Sequence, residues 1–500
     1  MDRGYQDRRK VRLVPESDDK LVRSWCTWAG LFFLLLAIYG SLIPFWVESM
    51  ELSQARRQFL AMPMQDFFDL EARGDWMGTV LLYAVVGLLL AGALSGTNSW
   101  TARLFAGTIV TSFGWLLALA IEFAQVFCRP RTVSLNDVIL TSVGMGLGST
   151  LWLVCGPHLA RWCLAFRTVR SLEETATHLA PAVFIGLACV EAFPFDFMVS
   201  AEEMQRKLSE GRIHLGWPVQ TGAGQDVRRP TEEERRLWDQ AAAGASVNSR
   251  VLIARLSTFA GFMIPGSVLG LSRFRTLGTA LVLCLGFSLS AAIELLQLWS
   301  YSRYFYAVDV PLGMAGVWLG WSTTKRLAYI FQAGTMRFRR PRVSERLLAW
   351  ARTCCAAGVL MWSAALIAFY WRPYDFLPLS EDGWPPRRIN WIPLADYYWN
   401  SKYGVFVQIL VKGGSFAPLG LFGACFFSGK YKTFVLVYAG LVALVVEMGQ
   451  AFLPKGYPST TDWLVQTGGA LIGFMLMRAA LCRLAQPKQE VGSAYVIIRT

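Results

Sequence analysis

Polar residues along this chain are confined to short intervals between long apolar stretches. Twelve stretches approach the ~20 residues needed to span a bilayer as a helix. They lie at roughly 25–46, 76–95, 104–127, 135–156, 178–196, 252–271, 277–299, 307–323, 350–372, 405–427, 434–453 and 463–482. They fall into groups of four, four and four, which predicts an all-α polytopic membrane protein with about twelve transmembrane helices in three four-helix repeats.

The polar intervals themselves repeat. Three segments, 121–148, 293–320 and 446–473, come into register when aligned on Glu122, Glu294 and Glu447. Gln125, Gln297 and Gln450 each follow three residues later, and Asp137, Asp309 and Asp462 fifteen later. Gly144, Gly316 and Gly469 follow at twenty-two, then Gly148, Gly320 and Gly473 at twenty-six. Acidic groups inside apolar segments are costly. Three copies at one spacing mark an internal triplication.

Each copy reads as one unit. Its first span ends in a proline–aromatic pair at Pro44, Pro194 or Pro373, and a polar stretch leads to the second span. Pro265 and Pro418 sit within that second span in the second and third copies, where a backbone hydrogen bond must be lost. The third span carries the Glu–Gln pair at its end, and the aspartate opens the fourth. The glycines four apart in the fourth span allow close approach of another helix. The division expected is a basic tail over 1–23, repeats over 24–165, 175–330 and 345–485, and a C-terminal tail over 486–500. Within the polar stretch from Met198 to Arg250, the charge-dense RRPTEEERRLWDQ suggests short amphipathic helices at the interface.

Composition agrees with this class. Of 500 residues, 54% are hydrophobic and 17% charged. The net charge of +13 would suit nucleic acid, but the placement of its basic residues argues for topology instead. Arg3, Arg8, Arg9, Lys10 and Arg12 precede the first span, while Arg161, Arg167 and Arg170 follow the fourth. Lys325, Arg326, Arg337, Arg339, Arg340 and Arg342 follow the eighth. Arg103, Arg273, Arg275, Lys430 and Lys432 lie between the second and third spans of their groups. In a twelve-span count all of these fall on one side, as the positive-inside rule requires of the cytoplasm. The expectation is a multi-pass inner (plasma) membrane protein with both termini cytoplasmic and no nucleic-acid partner. The first span is too long for a cleaved signal core and should be retained. The ten cysteines show no extracellular framework, and the three histidines do not cluster. No metal site, cofactor or nucleotide loop is expected.

Residues three apart share a helix face, so each Glu points with its Gln. A tight hairpin brings Asp137, Asp309 and Asp462 near the same membrane depth, at the non-cytoplasmic mouth. Arg131 and Arg303, nine after their glutamates, add a cation in the loop; the third copy has Gly456 there and Lys455 beside it. One reading is structural: SLND and STTD are N-cap signals, and a Glu–Arg pair can staple a hairpin. The other is functional, because an intramembrane acid with a partner is a site by default. Such a mouth could bind an amino sugar, a cationic headgroup or a phosphate. It could also do acid–base chemistry, with Glu122 or Glu294 as general base.

The order of Pro–aromatic, E-x-x-Q, then R-x-x-S-x-x-D opening a Gly-rich span resembles the VanZ family, named for a glycopeptide (teicoplanin) resistance determinant. The first copy carries Glu122, Gln125, Arg131, Ser134, Asp137 and Gly144. The second keeps Glu294, Gln297, Arg303 and Asp309 with Tyr306 in place of the serine, and the third keeps Glu447, Gln450, Ser459 and Asp462. Where the family often has Asn four residues after the aspartate, this chain has Thr141, Gly313 and Gln466. The resemblance implies a cell-envelope membrane protein whose partners are membrane lipids and a lipid-linked or amphiphilic precursor. An intramembrane transferase or hydrolase and a scaffold without ligand stand as alternatives.

Overall fold

The computed structural model describes residues 16–64, 70–97, 99–129, 131–169, 171–215, 247–337, 345–379, 385, 387, 389–395, 402–426, 432–454 and 456–485. The basic residues before 16, the RRPTEEERRLWDQ segment, Arg170, Arg339, Arg340, Arg342, Lys430, Lys455 and the tail from 486 lie outside them. Fourteen α-helices form among the described residues. In chain order they are α1 (Glu16–Leu42), α2 (Leu52–Leu60), α3 (Leu70–Ser95), α4 (Trp100–Gln125), α5 (Leu135–Thr168), α6 (Leu172–Ala192) and α7 (Ala201–Ser209). They continue as α8 (Val247–Leu271), α9 (Thr279–Trp299), α10 (Asp309–Arg337), α11 (Glu345–Tyr370), α12 (Lys402–Phe426), α13 (Lys432–Gln450) and α14 (Thr460–Ala485).

Eight of them are long and apolar enough, over their described residues, to cross a membrane: α1, α3, α4, α5, α6, α9, α11 and α13. Their surfaces carry large apolar side chains such as Trp28, Phe32, Phe105 and Met361. Such surfaces suit lipid, because a helix satisfies its backbone internally and needs no water along its length. α8 and α12 continue as helix past Pro265 and Pro418.

The chain divides into two compact units. One contains residues 1–168 and 346–477; the other contains 169–345 and 478–500. In the first unit, α1, α3, α4 and α5 close around Val86, Val110 and Met145, and α11 to α14 close around Phe416, Leu419, Ala443 and Val446. In the second, α6, α8, α9 and α10 pack around Phe262, Val282, Ile293 and Val317.

The same backbone plan appears in all three bundles. The peptide before Pro44, Pro194 and Pro373 is cis, and Phe45, Phe195 and Tyr374 follow with φ of 62°, 62° and 70°. The chain then returns beside the loop that joins the third and fourth helices. Glu48 N donates to Phe127 O at 2.9 Å, Met198 N to Trp299 O at 2.9 Å, and Leu377 N to Phe452 O at 2.7 Å. Further along, Leu135 N donates to Pro63 O at 3.1 Å, Ala307 N to His214 O at 3.0 Å, and Thr460 N to Asn390 O at 3.1 Å. Short pairings grow on this frame: β1 (Trp46–Val47) runs antiparallel to β2 (Cys128–Arg129), and β3 (Ile213–His214) parallel to β4 (Phe305–Tyr306).

The fourth helix of each bundle presses on the second through the paired glycines. A Cβ on Gly148 would meet Ala84 O, one on Gly320 Met263 O, and one on Gly473 Ala417 O. Gly144, Gly316 and Gly469 lie against Val80, Phe259 and Gly413 four residues earlier. With no side chain between them the backbones touch, and van der Waals packing holds the pair where lipid offers no hydrophobic drive.

Candidate functional site

The three glutamates sit at the ends of α4, α9 and α13 and are buried, with 3%, 4% and 5% exposure for Glu122, Glu294 and Glu447. Each carboxylate Oε2 accepts the backbone N–H twelve residues later. The donors are Ser134 at 2.9 Å, Tyr306 at 3.0 Å and Ser459 at 2.9 Å. The hydroxyls of Ser134 and Ser459 turn back to accept from Asn136 N at 3.2 Å and Thr461 N at 3.1 Å, capping α5 and α14. So the glutamate closes the loop and the serine starts the next helix. Asp137, Asp309 and Asp462 stand in the first turns of α5, α10 and α14, where the helix dipole favours an anion.

The charges around this common element differ. In the first copy Asp137 and Arg131 act electrostatically on Glu122. Arg131 spends its guanidinium on the end of α1, donating to Ile43 O at 2.7 Å and Gly40 O at 2.6 Å. Gln125 donates to Ser41 O at 2.8 Å. In the second copy Arg303 pairs with Glu191 at 2.8 Å, and Gln297 donates to the same carboxylate at 3.2 Å. Asp309 is ion-paired with Arg255 of α8. In the third, Asp462 is ion-paired with Lys412 of α12, and Gln466 donates to Glu447 Oε1 at 2.9 Å. Gln450 is half-buried at the end of α13, with its carbonyl taken by Leu453 N.

Arg255, Lys412 and Glu191 were not among the residues singled out by the repeat register. A signal for the first two exists: each is a lone cation inside an apolar segment, and such a residue needs an anionic partner. Glu191, Ser41 and Tyr370 occupy the same place, three residues before the proline. Only the second copy has an acid there, and that acid takes the arginine.

The second copy also carries polar groups with no counterpart in the repeat pattern. Lys207 of α7 is fully buried and donates to Gln297 O at 2.7 Å, Leu298 O at 3.0 Å and Ser300 O at 2.6 Å. It caps the C-terminal carbonyls of α9, which the helix leaves unpaired. Burial, the dominant cause, holds its pKa at about 8, below its ordinary 10.5. Asp196 accepts from Ser300 Oγ and from Ser302 N at 2.8 Å. Arg212 donates to Tyr301 O at 2.9 Å and pairs with Glu210 at 2.8 Å.

Among the described residues no three His, Cys, Asp or Glu side chains form a group that could hold a metal ion. The described cysteines are free. The arrangement can bind polar matter: buried carboxylates, each with a cation in range, sit where bundle meets loop. Some of its atoms have no partner, namely Asp309 Oδ1, Arg255 Nε, Arg212 Nη2 and Gln466 Oε1. Each unpaired buried polar atom costs about 1–3 kcal/mol.

A helical, lipid-facing fold with an internal repeat and a polar cluster ending each bundle defines a polytopic membrane protein. The chain belongs to the VanZ/LLP1 family, whose model matches residues 28–156 and 357–483. These two matches fall on the first and third bundles. No curated protein and no solved structure matches the chain.

Proposed function

We propose that this protein binds an amphiphilic or lipid-linked envelope precursor at the non-cytoplasmic mouths of its bundles. In this reading all twelve long helices span the inner membrane as three VanZ-like units, with both termini cytoplasmic. The observation that carries it is the carboxylate pair at the same end of all three bundles. A hairpin could be closed by a neutral side chain, so a repeated buried acid needs another reason. The middle unit lies outside the family match, yet it repeats the glutamate–amide bond and both backbone bridges of the other two.

The topology is tested by labelling single cysteines in intact cells, in a cysteine-free background. Ser134 and Ser459 are buried, so the exposed Val47 and Tyr457 are the better outer reporters. Substituted to cysteine, both should react from outside, and cysteine at the exposed Tyr329 should not. The reverse pattern overturns the orientation.

Binding is tested by mass spectrometry of lipids co-purifying with wild type and with Glu122→Gln, Glu294→Gln and Glu447→Gln. Selective loss of one lipid class from a folded variant is the expected result. Identical lipid content in all three makes the mouths scaffolds. Turnover of a precursor abolished by one substitution would make the protein an enzyme.

A further inference from the structure

The seam between the first three helices of a bundle is filled in two copies and open in the third. The glycine contacts fix the register of the second helices, since Gly148, Gly320 and Gly473 meet Ala84, Met263 and Ala417. Six residues after these stand Leu90, Leu269 and Gly423. Leu90 packs into the first core with Val110, and its Cδ2 would lie 3.2 Å from a Cβ on Gly30 of α1. Leu269 is buried in the second core with Val282. Gly423 faces the equivalent Val435 but has no side chain to fill the seam.

A cavity of about 220 Å³ results between α11, α12 and α13. Its floor is Leu419 and Gly423 of α12 with Val435 and Ala439 of α13, all buried. Its rim is Leu360 of α11 and Phe434 of α13, both exposed, so the cavity opens sideways onto lipid. The one polar side chain in its wall is Tyr438, whose hydroxyl is already paired with Ser363 Oγ at 3.0 Å. A buried water needs two to four polar partners, and apolar cavities of ~150 Å³ stay dry and take up small hydrocarbons. A hydrocarbon chain suits this wall, because its methylenes make the dispersion contacts that a void forfeits.

The charge at this end of the bundle says which chain. Lys432 opens α13 and is exposed, at the end of the helix opposite Glu447. At 1.5 Å per residue the cavity begins ~3 Å below Lys432, at Phe434, and reaches ~10 Å below it, at Ala439. The segments 350–370, 402–426 and 430–446 contain no acid, while Arg352, Lys430 and Lys432 stand at this end of them. A cation above an apolar slot, beside the positive end of a helix dipole, selects an anionic headgroup with a chain below it.

We propose that the open seam of the third bundle is a lipid site, which takes one acyl chain of an anionic phospholipid from the surrounding leaflet while Lys432 meets the phosphate. The site lies at the opposite end from the glutamates, so it goes beyond the reading of the mouths and does not depend on it.

The test is photo-crosslinking of full-length protein in phosphatidylcholine nanodiscs doped with phosphatidylglycerol that carries a diazirine on one acyl chain. Labelled residues are read by peptide mass spectrometry. Adducts are expected on the buried floor at Leu419, Val435 and Ala439, as well as on the exposed Phe105, which serves as the internal standard. Gly423→Leu restores the residue of the other two copies and should abolish the floor adducts while leaving Phe105 labelling unchanged. Because a Cβ on Gly423 would meet Val435 at 2.7 Å, Leu360→Trp is the second variant: it narrows the entrance from the lipid side and should have the same effect. Lys432→Gln should keep the floor adducts and cut the preference for phosphatidylglycerol over a matching phosphatidylcholine probe about fivefold. Helical circular dichroism and a monodisperse elution profile check the fold of each variant.

Adducts confined to exposed residues in wild type overturn the proposal. Floor adducts that persist undiminished in the folded seam variants also overturn it, and Leu360→Trp alone decides if Gly423→Leu does not fold. Equal floor labelling by the two headgroups removes the role of Lys432 and with it the anionic assignment. Displacement of the phosphatidylglycerol label by a polyprenyl phosphate but not by unlabelled phosphatidylglycerol replaces the phospholipid with an isoprenoid.

Discussion

The first and second mouths share a skeleton and differ in how they are neutralised. In both, a buried glutamate takes the amide twelve residues on, and the stretch after the proline–aromatic turn bridges the same loop. Yet Arg131 caps the end of α1 through two carbonyls, whereas Arg303 in the equivalent place turns to Glu191. The second mouth then adds Arg255, Lys207 and Arg212 from three separate elements. The lesson is that a backbone element can persist while its charge balance is rebuilt from whichever neighbouring helix supplies a cation. Glutamate at a fixed place in the last turn before the loop is a constraint of the hairpin; the cation is a choice made by packing.

That contrast can be broken most sharply at Arg255. Arg255→Met strands Asp309 in a buried site and should destabilise the protein by about 3–5 kcal/mol, read as a large drop in melting temperature in detergent. Adding Asp309→Leu should recover most of the loss. If the single variant melts like wild type, Asp309 does not depend on its partner and the contrast with the first mouth is false.

A second expectation concerns the missing arginine of the third unit. Arg131→Met should cost about 2–3 kcal/mol, since hydrogen bonds from a charged group are lost. Restoring arginine by Gly456→Arg should not help, because a Cβ there would fall on the Gln450 carbonyl. A more stable Gly456→Arg variant would show that the third loop can accept the first unit's solution.

The shared element predicts smaller and equal effects. Glu122→Ala, Glu294→Ala and Glu447→Ala each leave a loop amide unpaired and should cost about 1–3 kcal/mol, whereas the glutamines, which keep an acceptor oxygen, should cost less. Unequal losses among the three alanine variants would mean that the copies no longer share one structural role.

Lys207 gives a signal that depends on pH. Its folded pKa of about 8 lies below the ordinary 10.5, so between those values the unfolded chain binds more protons than the folded one. Stability from this group therefore rises as pH climbs from about 8 towards 10.5. The advantage of wild type over Lys207→Met should widen across that window. A gap that narrows instead would show that the three carbonyls hold the lysine charged.

Much of the fold was legible in the chain itself. Helices formed at all twelve apolar stretches, because runs of apolar residues near bilayer length leave the backbone no cheaper way to satisfy its polar groups. The glycines four apart marked where a second helix would lie, since absence of a side chain is itself a shape. The register of Glu122, Glu294 and Glu447 against loop and aspartate was visible because the hairpin joining them is local, and local geometry follows from spacing.

What spacing could not show is which groups from distant elements would reach each mouth. Arg255 and Asp309 are 54 residues apart, Lys412 and Asp462 50, and Lys207 and Gln297 90. The first two meetings depend on how the second helix is rotated and how deep it sits against the fourth, which the glycine contacts set, and the third on where α7 docks against the end of α9; no single segment encodes either. The stacking of His214 on Tyr306, with ring centroids 4.8 Å apart, is a stronger case, since the two lie in separate loops and face one another only through a parallel pairing of two residues each. The sequence by itself therefore determined the membrane class, the repeat and the acid positions, all of which arise from hydropathy and local period. Only the tertiary structure decided the partners of those acids, because a long-range charge pair is fixed by the packing of helices around it.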